Sequence, residues 1–438
     1  MLVLFICRIF FFLVPPPEPD IPHIVNSFTQ GYRELNLPAM QYVYREYFNS
    51  IQNYEGLQKQ LGFFRDTEAQ LKEIDKTKLA PGDKITFDHL LYETEFNLKR
   101  INLEIAWNNE GRKIPVNGLN QMPNHKEWYK YFIQKFTSLD VSAQEIMDYG
   151  LKEVERINEA ITKLQTELGY KNRNDFYRAL KNDSLFYFDK KQILQAFGVA
   201  DKSVRQHLRT FTGADNVPEV VPMEWPGAGA NTPPGIYLSR DDNAYGKDVF
   251  QYNFYGNKYS KRAVDWIYLH EAIPGHHLQS SLRRNTKQDS LQMLFLYPGN
   301  FEGWACYVEY EGKNLGVYTN PYTFLGHLEW DLIRSARLVL ETGIHYFGWD
   351  RQKALDYWKE NIAGYDDIAD REITRVTNWP GQALSYKLGS RFIFSLMDKV
   401  RAERPSVSLQ KFNRCFLNFG MRPLPVIEKN FEIMLAKT

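Results

Sequence analysis

The clearest hydrophobic rhythm in the chain runs through residues 141–168, where Met147, Leu151, Val154, Ile161, Leu164 and Leu168 recur at threes and fours. That spacing lines up apolar side chains on one face of an α-helix. Comparable stretches occupy residues 36–212, so this half reads as successive amphipathic helices whose apolar faces make core. The rhythm stops at 213–234, where Pro218, Pro222, Pro226, Gly227, Gly229, Pro233 and Pro234 mark a long loop. Residues 235–239 then read as a short strand and 241–260 as an irregular connection. The strand is expected either to pair with the backbone of a substrate at a sheet edge or to close a structural hairpin. Helical periodicity returns over 262–282, 301–316, 321–346, 350–378 with a break near Gly364, and 380–400, and residues 405–438 read as loop plus a short closing helix. The pattern predicts a mainly α protein of many helices, with a small β element near 235–260.

Composition narrows the class. With 438 residues, 43% hydrophobic and 15% aromatic, the chain can bury a large core. Its 54 basic and 53 acidic residues leave a net charge of +1 and form no long run, which excludes a nucleic-acid footprint. Cys7, Cys306 and Cys415 are odd in number and lack metal-site spacing, so no disulfide framework is expected, and Cys306 reads as a packed core thiol. Residues 1–14, MLVLFICRIFFFLV, are too short to span a bilayer and are interrupted by Arg8. They resemble the core of an export signal without a basic leader or a small-residue cleavage site, and read as a truncated signal or a misassigned start. Export is the favoured localisation, with membrane contact only through this segment.

The candidate chemistry lies in His-Glu-Ala-Ile-Pro-Gly-His-His at 270–277 and Phe-Glu-Gly-Trp-Ala at 301–305. Three of the nine histidines fall within eight residues, beside a carboxylate and on an otherwise apolar segment. Buried imidazoles left unpaired cost free energy, so such a cluster must be satisfied by something. A zinc ion that activates water takes three nitrogen or oxygen ligands and keeps one position open, and a further carboxylate then serves as base. The usual motif places its two histidines at i and i+4 of one helix, with the glutamate beside the first. Here i+4 is Pro274. Pro274 cannot donate a backbone bond and Gly275 lets the chain turn back, so a widened helical turn carrying two extra residues is expected. That makes His276 the stand-in for the second histidine. His277 is the alternative, near the azimuth of His270 but roughly 10.5 Å further along an ideal helix. The isolated His23, His89, His125 and His207 read as packed or surface residues.

The run HEAIPGHHLQ at 270–279, followed by FEGWACYVEYEG at 301–312, TGIHYFGWDRQKAL at 342–355 and PGQALSYKLG at 380–389, closely resembles the domain of unknown function 885 family. That family is itself similar to gluzincin metallopeptidases, of the angiotensin-converting enzyme and thimet oligopeptidase kind. The resemblance covers at least residues 230–400. It implies a multi-helix gluzincin-like architecture with a deep cleft, and with the loop at 213–234 it divides the chain into an apolar segment at 1–20, a helical lobe at 21–212 and a zinc-site lobe at 213–438, the two lobes forming one compact metallopeptidase-like domain.

The resemblance also implies roles. His270, His276 and Glu302 would hold one Zn2+ per chain, with Glu271 as general base. Tyr386 falls where those relatives keep a tyrosine that touches the substrate carbonyl. Arg337, Glu341 and His345 repeat every four residues on one helical stripe, which the resemblance turns toward the cleft, so His345 is a second candidate to hydrogen-bond the oxyanion. Glu309, seven residues after Glu302, would either steady the metal shell or stand in solvent. The expected function is a zinc-dependent hydrolase, a peptidase acting on a peptide or small amide through a metal-activated water. The alternatives are an inactive binding or structural module that retains its metal, or a zinc hydrolase of non-peptide amides or esters.

Overall fold

Residues 20–110, 113–285 and 290–437 are described by a computed structural model. The apolar stretch 1–14, Cys7 and the signal reading attached to them lie outside the described residues. The first half is helical as its periodicity requires: α1 (Ile21–Glu34), α2 (Tyr44–Ser50), α3 (Tyr54–Lys72), α4 (Pro81–Glu110), α5 (His125–Thr137), α6 (Ala143–Glu167), α7 (Arg173–Ala179) and α8 (Lys190–Thr212). Helix α6 is the predicted 141–168 helix, and it starts where a capping box forms. Ser142 Oγ accepts from the backbone N–H of Glu145 at 3.2 Å, while Glu145 Oε2 accepts from the N–H of Ser142 at 2.8 Å.

Its buried face runs through Ile146, Met147, Gly150, Val154, Ile157, Ile161 and Leu164. Leu151, expected on that face, is instead 44% exposed. The reason is the crossing with a later helix, because Gly150 packs directly on Leu338 and Val339 and so defines the inner side one residue, about 100°, away from Leu151.

The strands are few. A two-stranded pair joins β1 (Phe186–Tyr187) to β5 (Tyr259–Ser260), and a three-stranded sheet has the order β2 (Val221–Glu224), β4 (Val249–Tyr252), β3 (Gly235–Leu238). Strand β2 is parallel to β4 and β3 antiparallel to it, with Gly235 opposite Tyr252 and Leu238 opposite Val249. The segment 213–234 is therefore not loop throughout: β2 lies inside it. Strand β3 is an edge strand of this sheet.

The second half contains α9 (Val264–Glu271), α10 (His276–Asn285), α11 (Pro298–Tyr310), α12 (Pro321–His345), α13 (Arg351–Asn361), α14 (Ala369–Asn378), α15 (Leu384–Glu403), α16 (Leu409–Asn418) and α17 (Leu424–Lys437). Residues 405–438 thus hold two helices where one short closing helix was expected. Helices α11 and α15 meet backbone to backbone, since a Cβ built on Gly303 would stand 2.6 Å from Gly389 Cα and one on Gly389 2.2 Å from the carbonyl of Gly299. Only glycine permits that approach, and it locks α11, the bearer of Glu302, in place.

Helix α12 is buried along nearly all of its length and on every side. Its charges are neutralised inside: Glu329 by Arg262 at 3.0 Å, Asp331 by Lys387 at 2.5 Å, Arg334 by Glu309 at 2.7 Å and Arg337 by Glu372 at 2.8 Å. Groups buried this deeply persist because each has its partner; removing one partner would leave a charge uncompensated. The largest core cluster draws Ile193, Phe197 and Val204 of α8 together with Ile267 and Leu269 of α9 and Trp304 and Val308 of α11. The helix that begins the candidate site is therefore held from both sides by apolar packing.

Candidate metal centre

The expected single widened helix over 262–282 is two helices. Helix α9 ends at Glu271, Ala272 leaves the helical conformation at φ −97°, ψ −115°, and α10 begins at His276. The break is tied in three ways. The N–H of Ala272 still donates to the carbonyl of Tyr268 at 2.9 Å, the N–H of His277 donates to the carbonyl of Ala272 at 3.1 Å, and Trp304 Nε1 donates to the carbonyl of Pro274 at 2.7 Å. The Ile273–Pro274 peptide is cis. Gly275 lies against the end of α9, where a Cβ would come within 2.0 Å of the His270 carbonyl oxygen. The Pro-Gly pair therefore folds the chain back on itself, and a widened turn is not needed to return His276 to His270.

The ring centroids of His270 and His276 are 4.7 Å apart. Glu302 arrives from α11, and its Oε2 lies 3.3 Å from His270 Nε2 and 3.4 Å from His276 Nε2. Two ligands at about 2.0–2.1 Å from a tetrahedral zinc are separated by about 3.3 Å, so this spacing is the one a zinc ion would need. Glu302 Oε2 is buried without a well-formed hydrogen bond, and one ligand atom from each of the three side chains lies within 4.8 Å of the others. His270, His276 and Glu302 thus fit a metal ion, and the sequence-predicted ligand set is brought together.

Behind His270 sits Glu309, fully buried, with its Oε1 accepting from His270 Nδ1 at 2.6 Å and its Oε2 from Arg334 Nη1 at 2.7 Å. Of the two readings for Glu309, the solvent-exposed one is excluded, and its side chain steadies the His270 ring. Cys306 joins His270 and Glu309 in a second possible grouping. Its thiol is pushed up by burial, although Arg334 and His270 pull the other way, and Glu309 is already committed to Arg334, so this grouping is a supporting layer. Around Glu302, burial opposes ionisation, and contacts with His270 and His276 outweigh it and hold the carboxyl well below the usual range. Burial likewise disfavours the charged form of His270, and Cys306, Glu302 and Glu309 together raise it above the ordinary histidine value.

His277, the alternative ligand, points elsewhere. Its Nε2 donates to the Pro218 carbonyl at 2.8 Å and its Nδ1 lies 3.4 Å from Tyr237 Oη. His345 is also outside the site. Its Nδ1 accepts from the N–H of Leu119 at 3.1 Å, which leaves Nε2 to donate to the Val376 carbonyl at 2.8 Å. With both nitrogens used in the core, an oxyanion role for His345 is ruled out. The stripe expected to face the cleft does so only at Arg337, because α12 carries Glu341 and His345 onward into the interior.

A cleft with a cavity volume of about 660 Å³ opens over the three ligands, and Glu271, Tyr386 and Phe301 line it. Phe301 stacks on His276 with centroids 3.8 Å apart and planes at 11°, fixing that ring. Tyr386 stacks on the far side of the site, 6.3 Å from the His270 ring, with its Oη accepting from Arg375 Nη2 at 3.2 Å. Edge strand β3 forms part of the rim, and a Cβ on Gly235 would lie 3.5 Å from Glu271 Cγ. Sequence reasoning missed Arg334 and Arg375. Arg334 carried a signal, since two arginines interrupt the run Leu332 to Leu340, which is otherwise almost entirely apolar.

Among the solved structures similar to this chain are two described as putative lipoproteins. One, described as "the putative lipoprotein from Colwellia psychrerythraea", has a TM-score of 0.67 and 24% identity, with 90% of this chain and 69% of that one covered. The other, described as "a putative lipoprotein of unknown function from Shewanella oneidensis", has a TM-score of 0.61 and 17% identity over 94% of this chain and 73% of that one. No curated protein matches the chain in sequence. The family model described as "Bacterial protein of unknown function (DUF885)" matches residues 113–431, which include every residue of the metal centre, and the chain belongs to that family.

Proposed function

We propose that this protein is a zinc-dependent hydrolase that cleaves peptide bonds, with a site built on the gluzincin plan. The observation that carries the reading is the convergence of His270 Nε2, His276 Nε2 and the unpartnered Glu302 Oε2 at zinc spacing on the floor of a cleft. When bound there, zinc would lower the pKa of a coordinated water toward 7 and polarise the scissile carbonyl.

The chain supplies the rest. Glu271 follows His270 directly and lines the cleft, so it is placed to take a proton from water as the oxygen adds to the carbonyl carbon. It returns that proton to the amine nitrogen as the C–N bond breaks. Tyr386 Oη, already bonded to Arg375, is placed to donate to the oxyanion. Strand β3 closes an antiparallel hairpin with β4, the second of the two roles expected for it, and in this reading its other edge would also offer backbone groups to an extended peptide. The binding-module alternative was motivated by the Pro-Gly insertion, and that motive weakens because the insertion delivers His276 to the site. Export belongs to the same reading, supported by the apolar stretch at 1–14 and by the lipoprotein descriptions of the two fold neighbours.

The test compares wild type with Glu271→Gln, which keeps size and removes the base. Both should carry one zinc per chain. Against a mixed library of short peptides read by mass spectrometry, wild type should yield chelator-sensitive products and the variant on the order of a hundredfold fewer. Identical product sets from both would end the peptidase reading and leave a non-peptide amide or ester, or binding alone.

A further inference from the structure

One wall of the cleft is cationic. Helices α12 and α14 bring Arg334, Arg337, Arg371 and Arg375 to it. Two buried carboxylates answer them: Glu309 takes Arg334 at 2.7 Å, and Glu372 takes both Arg337 at 2.8 Å and Arg371 at 2.9 Å. Arg375 is left over. Its Nη2 donates to Gln382 Oε1 at 2.8 Å and to Tyr386 Oη at 3.2 Å, two neutral groups, and its Nε is buried without an acceptor. Glu341, another carboxyl within reach of its field, is pushed up to about 8 by burial and so is uncharged at neutral pH.

The Arg375 guanidinium is half-buried on the cleft wall near the rings of Trp379 and Tyr386, at 5.3 and 5.7 Å; Glu372 and Glu302 favour its charged form through their field, but neither bonds it, so its Nε remains open to an anion from outside. Its planar fork matches a carboxylate, which it can meet with two parallel charge-assisted bonds. Position then fixes which carboxylate. Tyr386 touches Arg375 with its hydroxyl and stacks on His270 with its ring, so an anion held by Arg375 lies only a residue or two from the metal ligands, at about 3.3 Å per extended residue.

We propose that Arg375 captures the free carboxylate at the carboxy terminus of a peptide, so that the cleft trims residues from that end instead of cutting internally. This rests on the peptidase reading for its substrate class. The anchor itself is a binding contact and can be measured without turnover.

The probe is the tripeptide acetyl-Phe-Ala-Ala and its carboxamide, titrated calorimetrically into zinc-loaded Glu271→Gln protein. The acid should bind at least about tenfold more tightly than the amide, the scale of a charge-assisted bidentate pair. In Glu271→Gln/Arg375→Ala the two should bind within about twofold of each other. Arg375→Lys in the same background keeps the charge and loses the fork, so it should show an intermediate ratio and reads the contact even if the alanine variant folds poorly. Acid and amide binding alike to the parent, a preference that survives both replacements, or no binding of either peptide would each overturn the anchor. A wild type that prefers the acid but cleaves nothing would sink the peptidase reading and leave the anchor standing.

Discussion

Glu309 Oε1 lies 2.6 Å from His270 Nδ1, and this contact decides which ring nitrogen faces the cleft. A carboxylate can only accept, so Nδ1 carries a proton toward Glu309, and Nε2 is the nitrogen that faces His276 and Glu302, where it would offer its lone pair to a metal ion. The other carboxylate oxygen is bound by Arg334, which fixes Glu309 in turn.

Glu309→Gln should therefore weaken zinc binding about 10- to 100-fold while leaving all three ligands present. Glutamine is chosen over alanine because it fills the same space beside Arg334. Competition with a chromogenic chelator gives the affinity directly. An unchanged dissociation constant would mean that His270 needs no orienting partner.

Gly275→Ala tests the fold-back. A methyl group there would stand 2.0 Å from the carbonyl oxygen of His270 and 2.3 Å from that of Leu269, and neither backbone atom can yield without moving α9. Overpacking of side chains costs about 1–3 kcal/mol, and a backbone clash belongs at or above the top of that range. The expected outcome is a melting temperature lowered by several degrees together with loss of zinc. A variant with wild-type melting and full metal content would show that the fold-back is not what holds the site.

Much of this was legible in the chain, and the exceptions have physical causes. The grouping of His270, His276 and Glu302 was readable because a metal site would demand that inventory at short spacing, and the fold brings the three side chains together. The break after Glu271 was not, because Pro-Gly announces only that a helix cannot continue regularly; that the chain doubles back depends on Trp304 reaching the Pro274 carbonyl from α11. His345 was misplaced for a related reason. A four-residue stripe of Arg337, Glu341 and His345 looks the same whether it faces solvent, a cleft or a polar core, and α12 is enclosed on every side. Arg375 was invisible because its meaning lies in which groups bond it, Gln382 and Tyr386 and no carboxylate, which only the folded neighbourhood reveals.

The two adjacent histidines separate cleanly. His276→Ala should lose zinc, since it removes one of the three converging atoms. His277→Ala should largely retain it, because His277 spends Nε2 on the Pro218 carbonyl, and should lose about 1 kcal/mol or more of stability with that buried bond. Elemental analysis and thermal melts of the two variants decide the matter, and the reverse pattern would move the ligand to His277.

Glu341 gives a pH signature independent of the metal. Burial raises its folded-state pKa to about 8, against the pull of the Gly381 and Ala383 N–H groups, the Tyr129 hydroxyl and the charge of Arg375, from an ordinary value of 4.5. The folded chain therefore prefers the protonated carboxyl. The stability tied to that proton is fully present below about 4.5 and is lost as pH rises through about 8. Glu341→Gln cannot ionise, and its side-chain oxygen can still accept from the Gly381 N–H, now 2.5 Å from the glutamate. The variant should match wild type near pH 5 and become progressively more stable than it up to pH 9, by at most about 3–5 kcal/mol from a shift of this size. Thermal melts of both proteins across that range supply the comparison. Parallel curves would mean that Glu341 ionises in the folded state as readily as in water, and with that a further anion would act on Arg375 beside Glu372 and Glu302 and the case for an outside carboxylate would weaken.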